Sequence, residues 1–275
     1  RYQDGKVITP EGFKEAYQQF IDGGWQGLSH PEEYGGQGLP LSLGLLKAEM
    51  MGTANWSWAM YPGLSLGAMN TLYIWGTEEQ NKTYLTKLCE GGWTATMCLT
   101  EPQCGSDLGQ VKTKASPNGD GSFSISGTKI FISAGEHDMA DNIVHLVLAR
   151  LPDAPEGTKG ISMFIIPKYL PGEDGGVGEF NNVHCDGIEE KMGIHGSSTC
   201  TMRFEGAKGW LLGPENKGVT CMFTFMNTAR VGTALQGLGA AELAYQNALP
   251  YAIERTSMRS LSGKKAPDKP ADPII

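Results

Sequence analysis

The rhythm of apolar positions changes twice along the chain. Thr9-Pro10 is a helix start with Pro at the first position, and Phe13, Ala16, Tyr17, Phe20 and Ile21 then recur at the i, i+3, i+4, i+7, i+8 spacing of one buried face. Gly23-Gly24 ends that helix, and a glycine-rich loop runs from His30 to Gly38. A second helical stretch covers roughly residues 41–51. Thr77-Glu78-Glu79-Gln80 is a capping-box pattern that opens a further helix, with Tyr84, Leu85 and Leu88 on one side and Gly91-Gly92 at its end.

From Trp93 the period falls to two. Strand-like runs occur at 94–99, 110–115, 122–132, 142–150, 160–166 and 198–204, parted by Gly, Pro, Asn and Asp, with Asn118-Gly119-Asp120-Gly121 as a turn. Short strands at this spacing predict an antiparallel sandwich or barrel. Helical rhythm returns from Pro214, where Val219, Met222, Phe223 and Met226 form a stripe. Pro250 is expected to break or kink that helix, and 260–275 reads as a Lys- and Pro-rich loop. The order predicts an α+β protein of three parts: an N-terminal helical domain at 1–92, a middle antiparallel β barrel or sandwich at 93–213, and the start of a C-terminal helical bundle at 214–275. Without βαβ alternation, a doubly wound nucleotide-binding fold is disfavoured.

Composition narrows the function classes. With 275 residues, 40% of them hydrophobic and 19% charged, the chain can bury a sizeable core in two or three subdomains. A net charge of −8 argues against a nucleic-acid surface, yet leaves room for an anionic cofactor held by backbone N–H groups. The six cysteines, at 89, 98, 104, 185, 200 and 221, form no C-x-x-C pair and no metal-ligand spacing with histidine. They read as buried free thiols in a reducing compartment. No apolar run is long enough for a membrane span and no signal peptide opens the chain, so a cytoplasmic protein is expected.

The stretch richest in chemistry is Met97-Cys98-Leu99-Thr100-Glu101-Pro102-Gln103-Cys104-Gly105-Ser106-Asp107. A strand ends by exposing the Thr100 hydroxyl, and a Pro turn and a Gly-Ser pair follow, presenting N–H groups and hydroxyls to something planar or anionic. On the residues alone, a polar turn closed by its own Thr, Ser and Asp side chains is the more economical reading.

This stretch resembles the first signature of the acyl-CoA dehydrogenase family, L/V-T-E-P-x-x-G-S-D. Further matches follow in the family's order. Glu33-Tyr34-Gly35-Gly36-x-Gly38 resembles its early glycine loop, and Gly76-Thr77-Glu78-Glu79-Gln80 its next landmark. Ile125-x-Gly127-x-Lys129-x-Phe131-Ile132-Ser133 resembles the strand pair that crosses the flavin. Lys191-Met192-Gly193-Ile194 with Ser197-Ser198-Thr199, Leu211-Leu212-Gly213 with Lys217-Gly218, and Tyr251-Ala252-x-x-Arg255 complete the series. The segments around His137-Asp138, at 142–155 and at 160–164, the insert at 168–182 and Gly193-Ile194-His195 are similar to one bacterial branch, which acts on 3-(methylthio)propanoyl-CoA in dimethylsulfoniopropionate breakdown.

The resemblance implies FAD as cofactor, an acyl-CoA as substrate, electron-transferring flavoprotein or a similar acceptor as partner, and a homodimer or homotetramer. It implies that Met97, Leu99 and Thr100 meet the flavin ring, that Phe131, Ile132 and Ser133 cover it from the other side, and that Gly105 and Ser106 approach the pyrophosphate, Ser106 also meeting substrate. The residues themselves leave simple strand burial open for Phe131 on equal terms. Asn227 and Arg230 align with a substrate-contacting helix, a surface ion pair being the competing reading of Arg230, and Arg255 with a residue reaching a neighbouring subunit's FAD. Cys104 and Gln110 depart from the small residues usual in the family; Cys104 reads as a packed side chain, and Gln110 puts tight packing after the turn in doubt. The family's base is a carboxylate. One of its two positions is here Ala229, so no catalytic residue is assigned and the base is expected C-terminal to Ile275; Glu101 belongs to the turn. A chain ending at Ile275 is accordingly expected to hold FAD weakly or not at all. His30, His137, His145, His184 and His195 read as structural or surface residues. The implied activity is dehydrogenation of a short acyl-CoA. An acyl-CoA oxidase or alkylation-response-type flavoprotein, and a non-catalytic flavin or acyl-CoA binding protein, stand as alternatives.

Overall fold

A computed structural model describes residues 1–255; the Lys- and Pro-rich stretch read as a loop lies outside the described residues. A short hairpin, β1 (Tyr2–Gln3) and β2 (Lys6–Val7), precedes helix α1 (Phe13–Asp22) and the long α2 (Leu41–Trp75). Helix α3 (Glu78–Gln80) continues through one π-helical turn (Asn81–Leu85) into α4 (Thr86–Glu90). Strands β3 (Trp93–Cys98), β4 (Lys114–Pro117), β5 (Phe123–Ser133), β6 (Asn142–Arg150), β7 (Ile161–Pro167), β8 (Tyr169–Pro171), β9 (Val177–Phe180), β10 (Val183–Ile188) and β11 (Thr199–Leu211) follow, and α5 (Gly218–Glu254) comes last.

The helical expectations hold in kind and shift in extent. In α1, Phe13, Tyr17 and Phe20 are buried as the spacing predicts, while Ala16 faces solvent. The helix starts at Phe13 rather than Pro10, because Gly12 adopts a left-handed conformation (φ 84°) that interrupts the rise. The capping box at Thr77 forms in full, each partner's side chain receiving the other's backbone N–H. Helix α2 runs well past the predicted end at 51, and changes direction at Asn55 (φ −161°, ψ 95°). The Asn55 side chain accepts the Trp58 N–H at 3.2 Å, so a single residue ends one helix and caps the next. Likewise α5 continues through Pro250 to Glu254, where a break was expected. That segment is solvent-exposed, so the carbonyl deprived of a donor by the proline is open to water. The α5 stripe is also turned from its predicted position: Phe223 is exposed, whereas Cys221, Met222 and Phe225 are buried.

The middle domain is a β barrel. β11 pairs with β5 and β7, β5 with β4, β4 touches β6, and β6 pairs with β7, which closes a ring; β10 flanks β11 and β3 flanks β6. The expectation of antiparallel pairing throughout needs one correction. β3 runs parallel to β6 over its whole length, and β4 meets β6 in parallel at Lys114 and Arg150. Parallel strands covered on both faces read as continuous apolar runs rather than alternations. Asn142-Ile143-Val144-His145-Leu146-Val147-Leu148-Ala149 is such a run, buried at every position. The run expected at 110–115 is displaced to 114–117, and the strand expected at 198–204 extends to Leu211. Strands β8 to β10 were not predicted; β8 and β9 cross a glycine-rich segment in which no residue is fully buried.

Three apolar clusters hold this arrangement, one of them packing Phe13, Tyr17 and Phe20 of α1 against Tyr61 and Met139. Ile125, Val147, Phe164, Ile166, Met202 and Phe204 fill the barrel. Ala68, Met69 and Leu72 of α2, Leu85, Leu146, Met163 and Phe225 join the barrel to the helices. All six cysteines are buried and free, as their spacing implied.

Candidate functional site

The last residues of β3 lead straight into the turn. Glu101 and Cys104 exchange backbone hydrogen bonds (2.8 and 3.0 Å) and so close the Pro102-Gln103 corner. Gly105 and Ser106 are exposed beyond it. A Cβ on Gly105 would stand 3.3 Å from the Thr100 methyl, so glycine keeps the surface beside Thr100 clear. Asp107 then caps a short 3-10 turn through the Gly109 N–H (3.2 Å). The exposed Gln110 donates to Asp107 at 2.8 Å and its carbonyl accepts from Gln103, so this larger residue braces the turn from outside without disturbing its packing.

Glu101 ties the turn to the barrel. Its carboxylate is 3% exposed and accepts from Lys129 Nζ (2.8 Å), from Thr113 Oγ1 and N (2.6 and 3.0 Å), and from the Lys112 N–H (2.7 Å). Burial by itself would raise its pKa, but the Lys129 charge and these donors hold the carboxyl well below the usual range, at about 2. A carboxylate so committed is an anchor for the turn, not a proton carrier at neutral pH.

The second segment is built by a β-bulge. Lys129 pairs with Met202 and Ile132 with Cys200, so Ile130 and Phe131 together face Thr201 alone. The extra residue reverses the strand's alternation, so that Lys129 and Ile132 both point inward (0% and 2% exposed). Phe131 is turned out to 58% exposure with φ at +58°, a conformation a bulky side chain adopts only under constraint. The strand-burial reading of Phe131 is thereby overturned. Ser133, half-buried, follows on the same edge.

The fold brings these two segments together. The Ile130 N–H donates to Thr100 O at 2.9 Å, and Lys129 Nζ donates to Leu99 O at 2.9 Å. The half-buried stretch Met97, Leu99 and Thr100 is thus joined to the strand segment that carries the exposed Phe131 and the half-buried Ser133, and Gly105 lies next to Thr100. The result is an apolar wall with hydroxyls along its edge.

The family assignment rests on two adjoining matches. The N-terminal domain of acyl-CoA dehydrogenases matches residues 5–92, and their middle domain matches residues 96–207. The chain belongs to the acyl-CoA dehydrogenase family. It is 48% identical over 275 residues to the 3-methylmercaptopropionyl-CoA dehydrogenase of Ruegeria pomeroyi, covering 100% of this chain and 46% of that protein. Among solved structures, the acyl-CoA dehydrogenase of Bacillus anthracis complexed with FAD superposes with a TM-score of 0.75 at 31% identity, covering 90% of this chain and 40% of that one. A chain from the study of the electron transferring flavoprotein of Acidaminococcus fermentans superposes at 0.76 with 31% identity, covering 89% and 61%. The chain spans a little under half the length of the curated relatives it matches most extensively.

Other family-predicted positions lie on or just after α5. On α5, Asn227 and Arg230 are exposed and bound to each other at 2.9 Å, with the guanidinium 5.3 Å from the Phe223 ring centre. Arg255 follows the end of α5, about 45 Å along the axis from Phe225 at ~1.5 Å per residue. The histidines fall where the sequence put them. His30, His137 and His145 are buried and hydrogen-bonded to Asn70, Thr94 and Thr96, respectively. Burial lowers their pKa values to about 4, 3 and 3. His184 lies 3.4 Å from Glu205, and His195 is exposed. What sequence reasoning missed is the burial of Lys129. The signal was present, since Lys129 stands at an even spacing from the inward Ile125 of a strand whose inward positions are otherwise small or apolar.

Proposed function

We propose that the chain forms the flavin-facing half of an FAD-dependent acyl-CoA dehydrogenase acting on short acyl-CoA thioesters. The observation that carries this reading is the bulged wall: an aromatic ring held outward under strain beside two hydroxyl-bearing residues, Thr100 and Ser133, with Gly105 leaving space next to them. Those features fit a flat apolar ring system with polar edges. Phe131, Leu99 and Met97 would meet its faces, Thr100 and Ser133 its polar edges, and Gly105 and Ser106 the phosphates and the CoA end. Bound FAD would accept the hydride from the substrate β-carbon. The chain's own residues orient the ring system and exclude water from one side of it. A carboxylate must take the α-proton as the double bond forms. Ala229 has no ionisable group and Glu101 is fully engaged, so we assign that role to neither.

The finer assignments belong to the same proposal. The 48% identity to the Ruegeria protein supports 3-(methylthio)propanoyl-CoA as substrate, with a place in dimethylsulfoniopropionate breakdown. Asn227 and Arg230 would border the acyl pocket. Arg255, by the family resemblance, would serve the flavin of a second copy. Exposed Val231, Leu238, Tyr245, Tyr251 and Ile253 on α5 support such assembly, as a homodimer or homotetramer. The likeness to the Acidaminococcus chain supports electron-transferring flavoprotein as the acceptor. No helix among the described residues is long and apolar enough to cross a membrane, and the six buried thiols support a cytoplasmic location.

Anaerobic titration of the full-length protein with 3-(methylthio)propanoyl-CoA tests the reading. Bleaching of the flavin absorbance, with slow recovery in air, is the expected result. No bleaching by this or any short acyl-CoA would overturn it, and rapid recovery in air would identify an oxidase instead.

A further inference from the structure

We infer that Lys129 is a positioning residue for flavin binding, its buried ammonium fixing the direction in which the Leu99–Thr100 peptide presents its N–H. The inference rests on the FAD reading above and concerns a residue that contacts no ligand itself. Lys129 Nζ lies 2.9 Å from Leu99 O and 2.8 Å from Glu101 Oε1. No peptide bond among the described residues is cis, so the Leu99 carbonyl and the Thr100 N–H point in opposite directions. With that carbonyl tied inward to the ammonium, the N–H must face out of the barrel, on the side where Phe131 is exposed. Thr100 O is tied to the Ile130 N–H at 2.9 Å, so both peptides flanking Thr100 are anchored to β5. The Thr100 N–H and hydroxyl are then presented to a ligand in a fixed orientation before it arrives.

The bulge explains how an outward ring comes to stand so close to this inward lysine. It reverses the alternation between Lys129 and Ile132, so one strand sends an ammonium inward and, two residues later, a phenyl ring outward. Lys129 and Phe131 thus couple the two walls of the proposed flavin site. A stability role explains the lysine poorly. A buried ion pair is commonly no better for stability than two well-packed neutral groups, whereas breaking it by removing one partner is costly. An ammonium does supply a directional, charge-assisted hydrogen bond to a carbonyl, which a packed methyl group cannot.

Three forms of the full-length protein separate positioning from stability: wild type, Lys129→Met, and the double variant Lys129→Met with Glu101→Gln. In Lys129→Met, Glu101 is left buried without its cation, so both thermal stability and FAD affinity should fall. The double variant removes both charges and should regain most of the thermal stability, yet bind FAD at least tenfold more weakly than wild type, with a changed visible flavin spectrum. Hydrogen–deuterium exchange of the unliganded proteins supplies a readout that needs no flavin. The segment containing Ile130 should exchange at least several-fold faster in the double variant. Wild-type FAD affinity and an unchanged spectrum in the double variant, or unchanged exchange at Ile130, would overturn the inference. Failure of wild type to bind FAD would instead overturn the functional reading, and the exchange comparison would still decide whether Lys129 anchors the turn.

Discussion

At the scale of single residues, Phe131 combines two properties that ordinarily exclude one another: a large apolar ring and a solvent-facing, left-handed backbone inside a strand. Such strain persists where the surrounding structure dictates it and is characteristic of binding sites. Replacing Phe131 with Ala therefore separates folding from binding. The fold should lose less than about 1 kcal/mol, because 58% of the residue is already in water and the transfer term is correspondingly small. FAD affinity in the full-length protein should fall roughly tenfold or more, a loss of ~1.4 kcal/mol or greater. Thermal unfolding and flavin fluorescence quenching measure the two quantities; an unfolded variant would show that Phe131 is a packing residue. The motif around Thr100 and Phe131 was legible because it runs continuously in the sequence. The inward Lys129 was legible too, in its even spacing from Ile125, but the outward Phe131 was not, because a bulge reverses a period-two pattern without leaving any mark in composition.

Among the elements, α2 shows where local propensity is overruled. Gly52, Pro62, Gly63 and Gly67 all argue against a helix from 52 to 75, beyond the stretch of roughly 41–51 read as helical. Packing decides otherwise, since Ala68, Met69 and Leu72 are wholly buried. The two glycines nearest that packing should respond in opposite ways. At Gly67 an added Cβ would lie 2.5 Å from the Phe225 ring, which is fully buried and cannot yield cheaply. Gly67→Ala should thus cost about 1–3 kcal/mol despite the better helix propensity of alanine. At Gly63 nothing lies within 4 Å of the added carbon, so Gly63→Ala should stabilise by up to about 1 kcal/mol. Denaturant midpoints of the two variants check the pair, and equal shifts would mean that the close contact between α2 and α5 is absent in solution. The capping box at Thr77 shows the converse case. It was readable from four consecutive residues because both partners of each hydrogen bond lie within one turn.

For the molecule as a whole, the order of helices, strands and helices was legible, whereas the parallel pairing of β3 with β6 was not. Register and direction between distant strands depend on how the barrel closes, and no local pattern records that. The barrel and its helical cover also enclose three histidines, and these set how the fold responds to acid. His30, His137 and His145 have folded-state pKa values of about 4, 3 and 3, against an ordinary 6.5 in the unfolded chain. The sign follows directly: each is neutral when folded, so below pH 6.5 the unfolded chain binds protons that the folded chain refuses. Stability is complete above 6.5 and declines as pH falls towards 4. At pH 5 each histidine should cost about 2 kcal/mol, taking ~1.36 kcal/mol for each pH unit below the unfolded value. The carboxylates with depressed pKa values, Glu78, Glu101, Asp120 and Asp138, lose their contribution only once the pH drops through the ordinary carboxylate range. Loss between pH 6.5 and 5 is therefore assigned to the histidines. His137 is the best one to vary, since its Nδ1 accepts the Met139 N–H at 3.2 Å and Nε2 lies 2.9 Å from Thr94 Oγ1. A glutamine there retains an acceptor and a donor but cannot be protonated. His137→Gln should reduce the fall in unfolding free energy between pH 7.5 and 5.0 by about one third, as read from urea titrations at the two pH values. An unaltered pH dependence would show that His137 is protonated within the fold.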